Sequence, residues 1–215
     1  MAKNIEKAYD ILAEYGVLER LQEIFKVFKP MTKAEFVTEV LENQAWITRI
    51  YLFIDMDNTL FRFSYGKSDD SDVLERVMDK GFFKELPPYA NIEIYEALQL
   101  MGVNLFILSA CPNSKFARPD KKYCLNTHMP FITDEQMIFC EIGQNKAEIA
   151  MARAGIDNLN NAVIIDDYKG NLLAWQAAGG IAIKKAISYK TRPYPTLIDH
   201  KDSVDMVLSL GKERQ

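Results

Sequence analysis

Five short apolar runs between residues 50 and 183 restrict the folds open to this chain more than any other feature. A helical or mixed segment separates each run from the next. Strands that alternate with helices indicate a parallel sheet with helices on both faces, joined by right-handed crossovers. We therefore predict an α/β fold with a doubly wound parallel sheet. The predicted strands are Ile50–Ile54, Asn104–Leu108, Gln136–Phe139, Ala162–Ile165 and Gly180–Ile183.

The first 48 residues have a different pattern and are predicted to form an N-terminal helical extension. Gly16 is expected to separate two helices, and Thr32-Lys33-Ala34-Glu35 has the form of a capping box that starts a third. The extension either simply packs on the main domain, which we favour, or also covers an active site or forms a dimer. The predicted domains are 1–48 and 49–215. The apolar residues that recur at helical intervals are Ile5, Tyr9, Leu12, Leu18, Leu21, Phe25 and Phe28.

Composition excludes several classes of protein. The chain has 215 residues, with 26 Lys and Arg against 30 Asp and Glu, so it has no basic excess to bind a nucleic-acid polymer. It lacks the apolar core of a signal peptide and any stretch of the roughly 18 apolar residues that a membrane span needs. Three cysteines suit neither a disulfide framework nor a metal motif. We predict a cytoplasmic protein with reduced thiols and no membrane partner, and the oligomeric state stays open.

Polar residues follow four of the predicted strands. Ligands of doubly wound sheets bind beyond the carboxyl ends of the strands, so these residues are expected to meet in one site. They are Asp55, Asp57 and Thr59 after the first strand, Ser109 after the second, Asn145 and Lys146 after the third, and Asp166 and Asp167 after the fourth.

Asp55 and Asp57 lie two residues apart, so both carboxylates point the same way, with Met56 facing the other side. Two such carboxylates can divide the work of phosphoryl transfer. One attacks phosphorus and forms an aspartyl-phosphate, while the other donates a proton to the leaving oxygen and later takes one from water. The alternative is an accidental turn rich in Asp and Thr.

The adjacent carboxylates Asp166 and Asp167 also end an apolar run. Together with Asp55 and Asp57 they would repel one another without a cation. Mg²⁺ takes carboxylate oxygens and leaves other positions for water and a phosphate, so we predict Mg²⁺ as the cofactor. The alternative is that the pair only caps a helix that begins near Lys169.

Ser109 and Lys146 are candidate phosphate ligands. The Ser109 hydroxyl can donate to a phosphoryl oxygen, although serine at such a place is often a turn or cap residue. Lys146 lies at a predicted helix start, where the helix dipole disfavours a cation, so its position suggests a functional role. Its ammonium can neutralise charge on a transferring phosphoryl group, and the alternative is a merely solvated lysine.

This set of residues, in this order and on these strands, resembles the four motifs of the haloacid dehalogenase-like hydrolase superfamily across residues 50–185. The resemblance implies a Rossmann-like sheet with a cap inserted after the first strand. The acid at Asp57 is typical of the phosphatases of that superfamily.

A closer resemblance is to the 5′(3′)-deoxyribonucleotidases, carried by IDMD at 54–57, GFFKELPPYANIEIYEAL at 81–98, KKY at 121–123 and IIDD at 164–167. The chain departs from that family at Asn58-Thr59 and at Ala110. The resemblance implies that Asp55 is the nucleophile and Asp57 the acid/base. It also implies Mg²⁺ ligands at Asp55, the Asp57 carbonyl and Asp166, phosphate contacts at Ser109, Lys146 and Lys122, and a base-binding side at Phe82 and Phe83. Two further candidates are Thr59 for the phosphate and Asp167 for the metal.

The predicted cap, at about residues 61–81, is short compared with that family. Its missing wall is expected to come from the N-terminal helices or from Phe61, Phe63 and Tyr65, and the alternative is that these aromatics are ordinary core and turn residues. The resulting hypothesis is a Mg²⁺-dependent phosphomonoesterase, a 5′-nucleotidase whose partner is a small phosphomonoester, a (deoxy)nucleoside monophosphate. Two alternatives remain: a phosphoprotein or small-metabolite phosphatase, and a non-catalytic phosphate-binding or interaction protein.

Overall fold

The computed structural model describes residues 1–27, 29–63, 76–186 and 195–214. Its centre is a six-stranded sheet with the order β3-β2-β1-β4-β5-β6, in which every pair of neighbours is parallel. This order confirms the predicted doubly wound sheet. Successive strands are added on one side of β1 up to β3 and on its other side from β4 onward, so the strand order reverses between β1 and β4. The strands are β1 (Tyr51–Ile54), β2 (Asn104–Cys111), β3 (Met137–Glu141), β4 (Ala162–Asp166), β5 (Ile181–Lys185) and β6 (Thr196–Leu197).

Both faces of the sheet are buried, which explains the continuous apolar runs in the sequence. Leu52 and Ile54 of β1 belong to one apolar cluster, whereas Phe53 between them belongs to a second. Phe53 packs edge-on against Trp175, with ring centroids 5.2 Å apart. Since successive side chains of a strand point to opposite faces, β1 contributes to a core on each side.

Strand limits differ from the predicted ones where polar residues continue a strand. β2 extends through Ser109, which is in register with Phe139 of β3, and β4 includes Asp166. Gln136 belongs instead to a 3₁₀ turn that Thr133 caps. The sixth strand was not predicted, because two residues carry no periodicity.

The N-terminal extension is helical, as predicted. Gly16 has a φ of 66° and separates the first two helices, and Thr32 and Glu35 form the expected capping box. Phe28 lies outside the described residues. The helices of this region are α1 (Ala2–Glu14), α2 (Leu18–Phe25), α3 (Lys33–Glu42) and α4 (Gln44–Ile47).

The extension packs on the sheet domain through an apolar interface. Ile5 and Leu12 of α1 are fully buried and belong to the same cluster as Leu52 of the central strand. Lys7 forms an exposed ion pair with Glu96 at 2.5 Å. Because such a pair contributes only about 0–1 kcal/mol, burial of apolar surface is the main attachment.

The remaining helices cover the two faces of the sheet. No helix in the described ranges combines the length and apolar character needed to cross a bilayer. The three cysteines, Cys111, Cys124 and Cys140, are free and buried. These helices are α5 (Tyr95–Met101), α6 (Ala117–His128), α7 (Lys146–Ala154), α8 (Lys169–Ala177) and α9 (Ser203–Lys212), with 3₁₀ turns at Phe82–Glu85, Ile92–Ile94, Asp134–Gln136 and His200–Asp202.

Candidate active site

A cavity of about 700 Å³ lies at the carboxyl ends of the strands, where the strand order reverses. The segments that follow β1, β2, β3 and β4 all contribute to its wall. Its acidic and basic lining residues are Asp55, Asp57, Lys146, Asp166 and Asp167, and its apolar ones include Phe63, Val77, Phe83, Ala110, Pro112, Ile142, Tyr168 and Ala174.

The turn after β1 is built around Asn58, whose φ of 56° lies in the left-handed region. Asparagine tolerates this conformation better than most residues. Its side-chain Oδ1 accepts a hydrogen bond from the Phe63 amide at 3.0 Å. The Met56 carbonyl accepts from Leu60 N at 2.9 Å. This closed turn fixes the backbone that carries the two aspartates.

A buried histidine braces the same turn from behind. His200 Nε2 lies 2.9 Å from the Thr59 carbonyl, and its Nδ1 lies 2.7 Å from the Tyr95 hydroxyl. Burial, together with nearby Lys185, lowers the pKa of His200 to about 3. The ring is therefore neutral: Nε2 donates to the carbonyl, which can only accept, and Nδ1 accepts from Tyr95.

Lys146 lies between two carboxylates at the start of α7. Its ammonium donates to Asp55 Oδ1 at 2.5 Å and to Asp166 Oδ2 at 2.8 Å. Burial alone lowers its pKa, but the two carboxylates outweigh burial, so the pKa of Lys146 is raised above its ordinary value. The helix start is stabilised by Asn145, whose side chain accepts from the Ala147 amide at 3.0 Å. Lys146 is thus a fixed positive charge beside Asp55.

Asp55, Asp166 and Asp167 form a cluster in which one oxygen of each lies within 4.8 Å of the others. Burial raises the pKa of Asp55 above its ordinary value despite the attraction of Lys146, and burial beside Asp166 raises the pKa of Asp167 to about 6. Asp166 is oriented by the Tyr168 amide, which donates to its Oδ1 at 2.7 Å. Three oxygen ligands with this shortage of positive charge fit a hard dication such as Mg²⁺.

Asp57 has a different partner, the fully buried Lys121 of α6. The Lys121 ammonium donates to Asp57 Oδ2 at 2.5 Å, to Ser109 Oγ at 2.9 Å and to the Ala110 carbonyl at 2.7 Å. It also lies 4.5 Å from the centroid of the Phe83 ring. The other Asp57 oxygen, Oδ1, has no hydrogen-bond partner in the described part of the chain. One oxygen is therefore anchored by Lys121, and the other is buried without a hydrogen bond from the described residues.

Comparisons with known proteins agree with this geometry at the level of fold. No protein-family model matches the sequence, and no curated protein matches it either. A solved structure, a haloacid dehalogenase-like family hydrolase from Xanthomonas campestris, is similar with a TM-score of 0.50 and 11% sequence identity. The similarity covers 78% of this chain and 95% of that chain. This chain has the haloacid dehalogenase-like fold.

Within the haloacid dehalogenase-like fold, the structure brings five charged residues predicted for the site to the cavity: Asp55, Asp57, Lys146, Asp166 and Asp167. Asp57 was also predicted as a metal ligand through its backbone carbonyl. Its carboxylate is not part of the acidic cluster and pairs with Lys121 instead.

Two predicted phosphate ligands lie behind the cavity wall. Ser109 is fully buried beside Lys121 and does not line the cavity. Thr59 is also fully buried, and its hydroxyl has no hydrogen-bond partner among the described residues. Its carbonyl is held by His200. The phosphate contacts of both residues stay predictions, and their observed contacts are with the supporting structure.

Lys122 was predicted to contact phosphate, but it points away from the site and pairs with Asp134 on the surface at 2.5 Å. Its neighbour Lys121 reaches the site. Helical periodicity explains the difference, because Lys121 lies on the same face of α6 as the buried Ala117, Cys124 and Leu125. Counting positions from those apolar residues would have selected Lys121 from the sequence.

Of the two phenylalanines predicted to bind the base, only Phe83 lines the cavity. Phe83 is buried and lines the cavity, whereas Phe82 is half-buried and packs edge-on against Phe83 with centroids 5.0 Å apart. Phe63 also lines the cavity and stacks on Phe83 at 6.0 Å. The buried carboxylate of Asp120 accepts from the Gly81 amide at 2.6 Å, which ties this aromatic segment to α6.

The wall expected from the N-terminal extension is not found in the described ranges. No residue of 1–48 lines the cavity there. Phe61 is fully buried and belongs to the core, so of the predicted substitutes Phe63 is the one in the cavity wall. Tyr65 and most of the predicted cap, residues 64–75, lie outside the described residues.

Proposed function

We propose that this protein is a Mg²⁺-dependent phosphomonoesterase that works through an aspartyl-phosphate on Asp55. One observation carries the proposal: a single cavity holds Asp55 within the acidic cluster and hydrogen-bonded to Lys146, with Asp57 two residues away and paired separately with Lys121. The similarity to a haloacid dehalogenase-like hydrolase supports the same type of reaction. A binding protein would need neither a buried nucleophile nor a second carboxylate with a free oxygen.

In the first proposed step, an Asp55 oxygen attacks phosphorus and a P–O bond to the carboxylate forms. The bond between phosphorus and the leaving oxygen breaks, and Asp57 donates its proton to that oxygen. In the second step, Asp57 takes a proton from water, whose oxygen attacks phosphorus. The bond to Asp55 breaks, inorganic phosphate leaves and the carboxylate is restored.

The acidic cluster would hold the cation. Asp55, Asp166 and Asp167 supply oxygen ligands, which suit Mg²⁺, and the Asp57 carbonyl is the further ligand that the family resemblance implies. When bound, Mg²⁺ supplies positive charge to the phosphoryl oxygens and to the crowded carboxylates. Lys146 neutralises the remaining charge and orients Asp55 through its 2.5 Å hydrogen bond.

We propose that the substrate is a (deoxy)nucleoside monophosphate. The cavity volume of about 700 Å³ suits a small molecule rather than a lone phosphate. Phe63, Val77 and Phe83 give one part of the wall an apolar surface, while the charged residues lie around Asp55. This division matches a molecule with a phosphate at one end and a base at the other.

A phosphate-release screen tests the proposed function. Equal concentrations of nucleoside monophosphates, sugar phosphates and phosphopeptides are compared by kcat/KM in the presence of Mg²⁺. We expect nucleotides to have the highest values, because contacts with the non-reacting part of a substrate can lower the barrier. A preference for phosphopeptides or small metabolites would replace the nucleotide assignment, and no release from any substrate would favour a phosphate-binding protein.

Asp57→Asn is expected to lower kcat by about 10²–10⁴ for nucleotides, the usual contribution of general acid–base catalysis. The rate constant of the first chemical step should fall less for p-nitrophenyl phosphate, because its leaving group needs no proton. Single-turnover kinetics isolates that step. Asp134→Asn, at a surface carboxylate that pairs with Lys122 at 2.5 Å, is the matched control. Equal losses for both leaving groups would contradict the acid role.

A further inference from the structure

Two large apolar side chains are exposed at the rim of the cavity. Ile142 follows β3 and is 70% exposed, and Tyr168 follows β4 and is 65% exposed, yet both line the cavity. Single exposed apolar residues are common and need no function. Tyr168 is also adjacent to Asp166 of the acidic cluster and to Gly170.

The Tyr168 amide makes one hydrogen bond, and the Tyr168 ring lies close to one glycine. The amide donates to Asp166 Oδ1 at 2.7 Å, which ties this residue to the acidic cluster. The ring lies directly over Gly170, where an added Cβ would come within 2.5 Å of Tyr168 Cε1. Glycine is unfavourable inside a helix, and Gly170 is the second residue of α8. The absence of a side chain at Gly170 leaves room for the Tyr168 ring.

Tyr168 is much more exposed than the other aromatic residues of the cavity wall. Phe63 and Phe83 stack on each other with centroids 6.0 Å apart and are buried, so little of either ring is exposed. Tyr168 is 65% exposed and lines the cavity, so most of its ring surface is open to a ligand. A planar aromatic surface of this kind stacks well on another flat ring.

We propose that Tyr168 is a specificity-determining residue that stacks on the planar, apolar part of the substrate's leaving group. The inference rests on the proposed phosphomonoesterase function and adds a residue that neither the sequence motifs nor the family resemblance assigned. It names a substrate class by its chemistry: a phosphomonoester whose alcohol carries a flat ring within reach of the reacting phosphate.

Thymidine 5′-monophosphate and 2-deoxyribose 5-phosphate test this proposal. Both release a primary alkoxide from the same sugar, so they differ chiefly by the base. We expect Tyr168→Ala to lower the ratio of their kcat/KM values about tenfold, mainly through KM of the nucleotide, and Tyr168→Phe to retain the ratio. Leu173→Ala is the control, since Leu173 is 50% exposed on α8, the helix that follows Tyr168, but does not line the cavity.

Gly170→Ala gives a second, independent test because the new methyl group must displace the Tyr168 ring. We expect it to lower the same ratio, and to have no further effect on that ratio when Tyr168 is already Ala. This substitution favours the helix, so loss of folding is not expected.

The outcomes separate this inference from the proposed function. If wild-type protein hydrolyses both substrates and Tyr168→Ala changes the two kcat/KM values equally, the stacking role is wrong and the phosphomonoesterase assignment stands. Equal effects of Gly170→Ala in both backgrounds would also overturn the stacking role. If wild-type protein releases phosphate from neither substrate nor from an aryl phosphate, both proposals fail together.

Discussion

Asp55→Asn is expected to lower phosphate release at least about 10³-fold, which corresponds to about 4 kcal/mol of transition-state stabilisation. The amide has nearly the shape of the carboxylate but cannot attack phosphorus as an anion. Steady-state release of inorganic phosphate measures the loss. Rapid quenching of the wild-type reaction should in addition trap phosphate on Asp55, and the variant should trap none.

The fold of the Asp55→Asn variant should be unaffected, because Lys146 keeps its 2.8 Å contact with Asp166. Thermal melting and circular dichroism check this point. Lys146 is also expected to stay close to the new amide oxygen, so the local hydrogen bond survives in a neutral form. A variant that keeps a tenth of wild-type turnover would contradict the nucleophile assignment, whatever its stability.

The sequence alone was sufficient to predict the residues at strand ends. Asp55 and Asp166 follow or end apolar runs, and parallel strands bring such positions to one edge of the sheet. The predicted helix start at Lys146 follows from the same reasoning, since the chain must turn after β3. These features depend on local pattern and on the topology of a doubly wound sheet, which leaves few alternatives.

Other parts of the site depend on contacts between distant segments and carry no local signal. His200 reaches Thr59 across 141 residues, and the partner of Asp57 is 64 residues away in α6. The role of Lys121 could have been found from the buried face of its helix, but its acceptors could not. Tyr168 is a comparable case, because its ring position depends on the missing side chain of Gly170.

Removal of divalent cations is expected to bring turnover to background, and added Mg²⁺ is expected to restore it. The physical reason is the crowding of Asp55, Asp166 and Asp167 within 4.8 Å, with Lys146 as the positive charge hydrogen-bonded to two of them. Phosphate release in excess EDTA, followed by titration with Mg²⁺, measures the requirement. Full activity in EDTA would contradict the cation site.

The Asp166→Asn variant tests whether Asp166 binds the cation directly or only lies beside it. The amide oxygen can still accept from the Tyr168 amide, so the backbone at the end of β4 should keep its place, whereas the bonds that the other oxygen accepts from Lys146 and Asn171 are lost. Removing a residue that hydrogen-bonds to a metal ligand lowers metal affinity roughly 10–100-fold. Removing the charge of a ligand itself should lower Mg²⁺ affinity at least as much. Wild-type protein should also melt at a higher temperature with Mg²⁺, because a cation that binds the folded state stabilises it, and the variant should lose this shift at the same concentration. An unchanged Mg²⁺ titration and an unchanged melting shift would mean that Asp166 serves only to hold Lys146.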